Sequence, residues 1–143
     1  MEPSFYHSIG YAYSFVNDYD KTFLNYNKAI ELNPNIAELS LIYRNRGFAY
    51  SYLQDHQNAI EDFERAILFN NYLHLNFNHI NGDTYFTMGS SYMNMGDFKE
   101  AIKYFNKAIE IDRNDHMAYY KKAIAHSMLE QHWDAIANFD KAI

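Results

Sequence analysis

Seven histidines are the residues of this chain best equipped for chemistry, able in principle to hold a metal or to move a proton near neutral pH. Their spacing argues against both. His126 and His132 are six positions apart and His74 and His79 five, whereas two histidines that grip zinc from one helix stand four apart. Cysteine is absent, which excludes thiolate metal sites, disulfides and a cysteine nucleophile. The chain has no Gly-x-Ser-x-Gly elbow, no glycine loop to cradle a phosphate, and no carboxylate pair placed as acid and base. The expectation is a protein that is not an enzyme, with no metal and no cofactor, its histidines structural or solvated.

Fourteen tyrosines and eleven phenylalanines form the other capable set. Rows of aromatics can stack on the bases of single-stranded nucleic acid, but such platforms are interleaved with the Lys and Arg that follow the backbone. Here twelve basic residues face eighteen acidic ones, a net charge of -6 that argues against nucleic acid and against an anionic membrane surface. No apolar run approaches the roughly 18 residues that span a bilayer, and the N-terminus lacks a basic region followed by an apolar one. The chain therefore reads as soluble and unprocessed, with a protein as its partner and its aromatics as core; its compartment stays open, the cytoplasm being the leading expectation. At 143 residues it is one domain by size, and 48% hydrophobic residues are enough to fill that core without staples.

The elements that position these residues are written more than once. Ala59, Phe63 and Ala66 recur as Ala101, Phe105 and Ala108 and again as Ala135, Phe139 and Ala142, each set followed by Ile. The register extends upstream to Gly47 with Tyr50 and to Gly89 with Tyr92, and a looser first copy holds Tyr6, Gly10, Tyr13, Thr22, Tyr26, Ala29 and Pro34. Repetition at roughly 34 residues marks stacked helix pairs, each of which buries its apolar face only against its neighbours. Within one second helix Ala59, Ile60, Phe63, Ala66 and Ile67 make an apolar stripe, and Glu61, Asp62, Glu64 and Arg65 are expected on the water side. Second helices should begin near Tyr19, His56, Phe98 and His132. Asp97 should cap the third of these, with Glu100 answering it, and Asn35 and Glu38 share that spacing. The glycines inside first helices sacrifice helix propensity, and close helix contact is the expected return.

This pattern resembles the tetratricopeptide repeat family, whose units read Trp-x-x-Leu-Gly-x-x-Tyr, then Ala-x-x-x-Phe, then Pro. The resemblance covers nearly the whole chain. It implies an all-α, right-handed superhelical solenoid of antiparallel helix pairs, with repeats at 3–36, 40–73, 82–115 and a truncated 116–143. The large opening residue is Tyr6, Tyr43, Tyr85 and Tyr119, and the small residue at the crossing is Gly10, Gly47, Gly89 and Ala123. Arg46 and Lys122 stand at the Leu position and His126 at the Tyr position, departures that unsettle local packing in repeats two and four.

In the family's geometry the first helices line a concave face, and that mapping implies a binding surface. It comprises His7, Tyr11 and Phe15, then Arg44, Asn45, Phe48 and Tyr52, with Phe86, Ser90, Met93 and Asn94 from repeat three and Tyr120, Lys121, Ile124 and Met128 from repeat four. Aromatic and Met side chains with few charges suit a peptide or helix of a protein partner. The alternative is that another helix of this chain or of a twin fills the groove. The family's clamp for chaperone C-terminal tails is matched only at Asn45, so such tails are disfavoured: a buried carboxylate needs several charge-assisted donors. Ser90 has no histidine near it in this mapping, which leaves a hydrolase or enzyme-accessory reading without support.

Two stretches carry further expectations. The insertion 74–81 is expected to extend the first helix of repeat three by two turns, since Phe77, Tyr85, Met88 and Tyr92 continue one stripe; a loop is the alternative, because Gly82 lies inside the stripe and Asn-rich sequence also suits a loop. At the other end Ile136, Phe139 and Ile143 extend the apolar stripe to the last residue without a polar capping helix. That edge is expected either to continue into a longer array, packing edge to edge as a structural segment, or to pair with a second copy as a homodimer.

Overall fold

The computed structural model describes residues 2–72 and 80–143. Eight α-helices form among them: α1 (Pro3–Phe15), α2 (Tyr19–Glu31), α3 (Ile36–Tyr52), α4 (His56–Tyr72), α5 (Gly82–Asn94), α6 (Phe98–Ile111), α7 (His116–Met128) and α8 (His132–Ala142). The described residues form two compact units that divide between Ile80 and Asn81, α1 to α4 in one and α5 to α8 in the other. In each, a first helix packs on the second helix that follows it, and one pair packs on the next. Each unit thus has the all-α architecture of antiparallel helix pairs that the repeat pattern implies.

One turn is built four times. Asn17, Gln54, Gly96 and Glu130 lie in the left-handed region, at φ of 59, 60, 84 and 60°. Each closes its first helix by donating to the carbonyl three residues back, on Ser14, Ser51, Met93 and Ser127 at 3.0 to 3.3 Å. The next residue donates to the carbonyl five back, on Tyr13, Tyr50, Tyr92 and His126 at 2.9 to 3.2 Å, which completes a Schellman closure. That same residue opens the second helix: Asp18, Asp55 and Asp97 accept from the backbone N–H three residues on, and Gln131 makes no side-chain cap. All four second-helix starts therefore fall where the repeat register puts them. Glu100 does not answer Asp97 as a capping box would, because its carboxylate takes the Lys103 ammonium at 3.0 Å.

Three first-helix glycines are held by a ring. A Cβ on Gly10 would meet Tyr26 at 2.8 Å, on Gly47 Phe63 at 2.9 Å, and on Gly89 Phe105 at 2.8 Å. The rings are fully buried, with Ala29, Ala66 and Ala108 beside them. At the fourth crossing Ala123 carries a Cβ, and its ring, Phe139, is half-buried.

Two expectations need correction. Asp62 is buried at 2% exposure, not solvated, because Arg46 at the Leu position turns inward and binds it. The first helix of repeat three gains no two-turn extension: α5 begins at Gly82, where extended Asn81 caps it by accepting from the Thr84 N–H at 3.2 Å. The rest of that expectation, including Phe77, concerns residues 73–79, outside the described residues.

Candidate functional site

The first unit holds a cleft between the outer faces of α1 and α3. Its walls follow from helix geometry: Tyr11 and Phe15 are four apart on α1, and Arg44, Phe48 and Tyr52 repeat that spacing on α3, so each set projects from one face. Tyr11 and Phe15 meet edge to face at 4.9 Å, and the Arg44 guanidinium lies 5.9 Å from the Phe48 ring centre. Phe48 in turn packs edge to face on buried Phe63 at 5.1 Å, which anchors the wall to the core. Ser14, Asn17, Tyr19, Tyr26 and Ala49 complete a lining that encloses about 400 Å³. A second hollow of about 260 Å³ adjoins it, sharing Tyr11, Arg44 and Asn45 and adding His7, Ser8 and Leu41.

Electrostatics in the cleft are sparse. Arg44 is the one ionic side chain among the lining residues of both hollows, and no carboxylate lines either. Asn45, 8% exposed, pairs its amide nitrogen with Nε2 of His7 at 3.0 Å. Burial, and then the Arg44 guanidinium, hold the His7 imidazole below its ordinary value. Tyr26, at the floor, is pushed up to about 12 by burial and stays a neutral phenol.

Of the residues expected on the concave face, the structure gathers Tyr11, Arg44, Asn45, Phe48 and Tyr52 around this cleft, with Phe15 and His7. Phe86, Met93, Tyr120, Lys121 and Ile124 belong to the second unit, on α5 and α7, which touch each other. There Phe86 packs against buried Phe105 at 5.8 Å, Tyr120 is 45% exposed, and Met93, Lys121 and Ile124 are half-buried. Ser14, Asn17, Tyr19, Tyr26 and Ala49 are not among the expected lining residues. Asn17 in the turn and Tyr19 at the start of α2 escape a mapping confined to first helices, and Tyr26 escapes it as a core ring of the second. Trp133 and Ile136 on α8 are exposed, as is Ile143 just after it, while Phe139 turns inward to meet Tyr120 at 5.8 Å.

No group of three or more His, Asp or Glu among the described residues is disposed to hold a metal, and no helix there is long and apolar enough to cross a membrane. Among known proteins, the chain is 36% identical over 58 residues to an NADPH oxidase activator of Dictyostelium discoideum. That match covers 41% of this chain and about a tenth of the relative's length. The fold is similar to a crystal structure of MamA, with a TM-score of 0.82 at 24% identity over 98% of this chain and 75% of that one. It is also similar to YrrB, a tetratricopeptide protein with an unusual peptide-binding site, with a TM-score of 0.79 at 23% identity over 96% of this chain and 65% of that one. Tetratricopeptide repeat models match residues 3–36, 41–71, 82–115 and 104–137. With its glycine-under-ring crossings and repeated turns matched by those models along most of its length, the chain belongs to the tetratricopeptide repeat family.

Proposed function

We propose that the chain is a non-catalytic protein-interaction module that takes a peptide segment of its partner into the α1–α3 cleft. The observation that carries this reading is an open, aromatic cleft with one guanidinium and no carboxylate in its lining. At about 400 Å³ it falls within the range of ligand-sized pockets. Exposed aromatics and arginine are the side chains that supply most binding energy at protein interfaces. The peptide-binding site of YrrB, which shares the fold, supports the class of ligand.

Selection of peptides from a random library on the 143-residue chain tests this. Peptides so obtained should lose binding to Tyr52→Glu, whose ring is 76% exposed, while circular dichroism and melting stay at wild-type values. Phe48→Glu is the poorer variant, since Phe48 supports Phe63. With Arg44 the one cation in the lining, binding should depend weakly on salt. Peptides that bind Tyr52→Glu as well as wild type would remove the cleft as the site.

A second reading, self-assembly through α8, is favoured by Trp133, Ile136 and Ile143, exposed at 85, 50 and 99%.

A further inference from the structure

Tyr26 is the one crossing ring that carries a hydroxyl. Phe63, Phe105 and Phe139 occupy the same place in the other repeats, and the contacts to Gly10, Gly47 and Gly89 are alike whether the ring is Tyr or Phe. Packing therefore asks for a ring and not for a phenol. The Tyr26 side chain is 0% exposed, its hydroxyl finds no hydrogen-bond partner among the described residues, and the residue lines the cleft. Ser14 lies close enough to temper the phenol's titration without completing a hydrogen bond, and its own hydroxyl donates to the Tyr11 carbonyl at 2.6 Å. A buried hydroxyl with no partner costs stability, and a site built to bind ligand is where such a cost is repaid.

We propose that Tyr26 is the ligand-reading group of the cleft, and that the side chain it reads is a tyrosine of the bound peptide. This inference rests on the peptide-binding reading above and names what the cleft selects. Three features of the lining define the guest. Rings of Tyr11, Phe15, Phe48 and Tyr52 call for a large flat side chain. A lone guanidinium cannot repay the desolvation of a carboxylate carried to the floor, so the guest's tip is neutral. The Tyr26 hydroxyl needs a partner that can accept, which a tyrosine hydroxyl does and a phenylalanine, or the N–H of an indole, does not. Asn and Gln can accept but leave the aromatic walls unfilled. The Tyr26 hydroxyl is closed to water, so the guest has to displace Tyr11, its 47% exposed neighbour, to reach it.

The test is a cycle on one peptide. A peptide selected from a random library on the wild-type chain is synthesised with each of its tyrosines in turn changed to phenylalanine, and titrated calorimetrically against wild type, Tyr26→Phe and Tyr52→Glu. Tyr26→Phe should fold and melt no lower than wild type, because it deletes an unpartnered hydroxyl from a place that other repeats fill with phenylalanine. One tyrosine of the peptide should be worth about tenfold in affinity against wild type and nothing against Tyr26→Phe, the two losses being one shared hydrogen bond. Selected peptides without tyrosine, or a Tyr26→Phe chain that binds the tyrosine peptide as tightly as wild type, would overturn the inference. In either case loss of binding in Tyr52→Glu leaves the cleft as the site, whereas unchanged binding there removes the cleft itself.

Discussion

Arg46 reaches Asp62 through two hydrogen bonds, Nε to Oδ2 at 2.6 Å and Nη2 to Oδ1 at 2.8 Å. Its third nitrogen donates to Asn27 at 2.6 Å, so one guanidinium on α3 joins α2 to α4. The side chains are 12 and 3% exposed, and Tyr43 and Tyr50 face the guanidinium at 5.1 and 5.9 Å. Arg46 thus occupies the place of a core leucine by bringing its own counter-charge into the core.

Removing one partner should cost far more than removing both. Asp62→Ala leaves a cation buried without its carboxylate and is expected to cost about 3 kcal/mol in urea unfolding. Arg46→Leu with Asp62→Ala restores the apolar residue of the family pattern, and the double variant should recover most of the loss. Additive losses would show that the pair acts as two independent surface groups.

The polar pair also marks where sequence reading stops. Periodicity put Asp62 in water because it falls outside the stripe of Ala59, Phe63 and Ala66, and periodicity holds no information about a partner sixteen residues away across a turn. Second-helix starts were legible because the turn before each is set by local hydrogen bonds at a fixed register. The glycine crossings were legible for the same reason of fixed spacing, though spacing does not say that the rings of Tyr26, Phe63 and Phe105 press on them. Six residues of the cleft, Tyr11, Phe15, Arg44, Asn45, Phe48 and Tyr52, follow from the family's first-helix mapping. Tyr26 does not, because its spacing labels it core and only comparison of the rings across repeats singles out its hydroxyl.

The repeated turn offers a gain in stability. Gln54 and Glu130 sit at φ of 60°, in a conformation that glycine adopts without steric cost and that Gly96 already supplies in the third repeat. Both are exposed, so their side chains are dispensable to packing. Gln54→Gly and Glu130→Gly should each stabilise by about 1 kcal/mol, read as a higher urea midpoint with an unchanged slope. A loss of stability in either would mean that the side chain makes contacts outweighing the strain.

Acid should weaken the first unit through His7. Its imidazole is held below the ordinary value of about 6.5, so on acidification the unfolded chain binds the proton before the native one does. Its contribution is whole above pH 6.5 and is lost as the pH falls through the window below it. With the Asn45 amide nitrogen donating, Nε2 must accept, and a proton there would set donor against donor. Urea midpoints at pH 7.5 and 5.5 should fall further for wild type than for His7→Gln, which keeps a polar group and does not titrate. Equal falls would assign the acid sensitivity to other groups.

The apolar stripe of α8 should make this chain associate with itself. Trp133, Ile136 and Ile143 follow one another at helical spacing and are exposed at 85, 50 and 99%. Covering even a few hundred Å² of such surface is worth several kcal/mol at about 25 cal/mol per Å², before the cost of association. A pair related by a two-fold axis is the simplest assembly that buries the same stripe on both copies. Light scattering over a concentration series should show mass rising toward a dimer, and Trp133→Ser with Ile136→Lys should return it to monomer. Phe139→Lys is the wrong probe, because Phe139 packs on Tyr120 and its loss would disturb the second unit's own core. A chain that stays monomeric at the highest concentrations, with the double variant no different, would leave the stripe without a role in self-association.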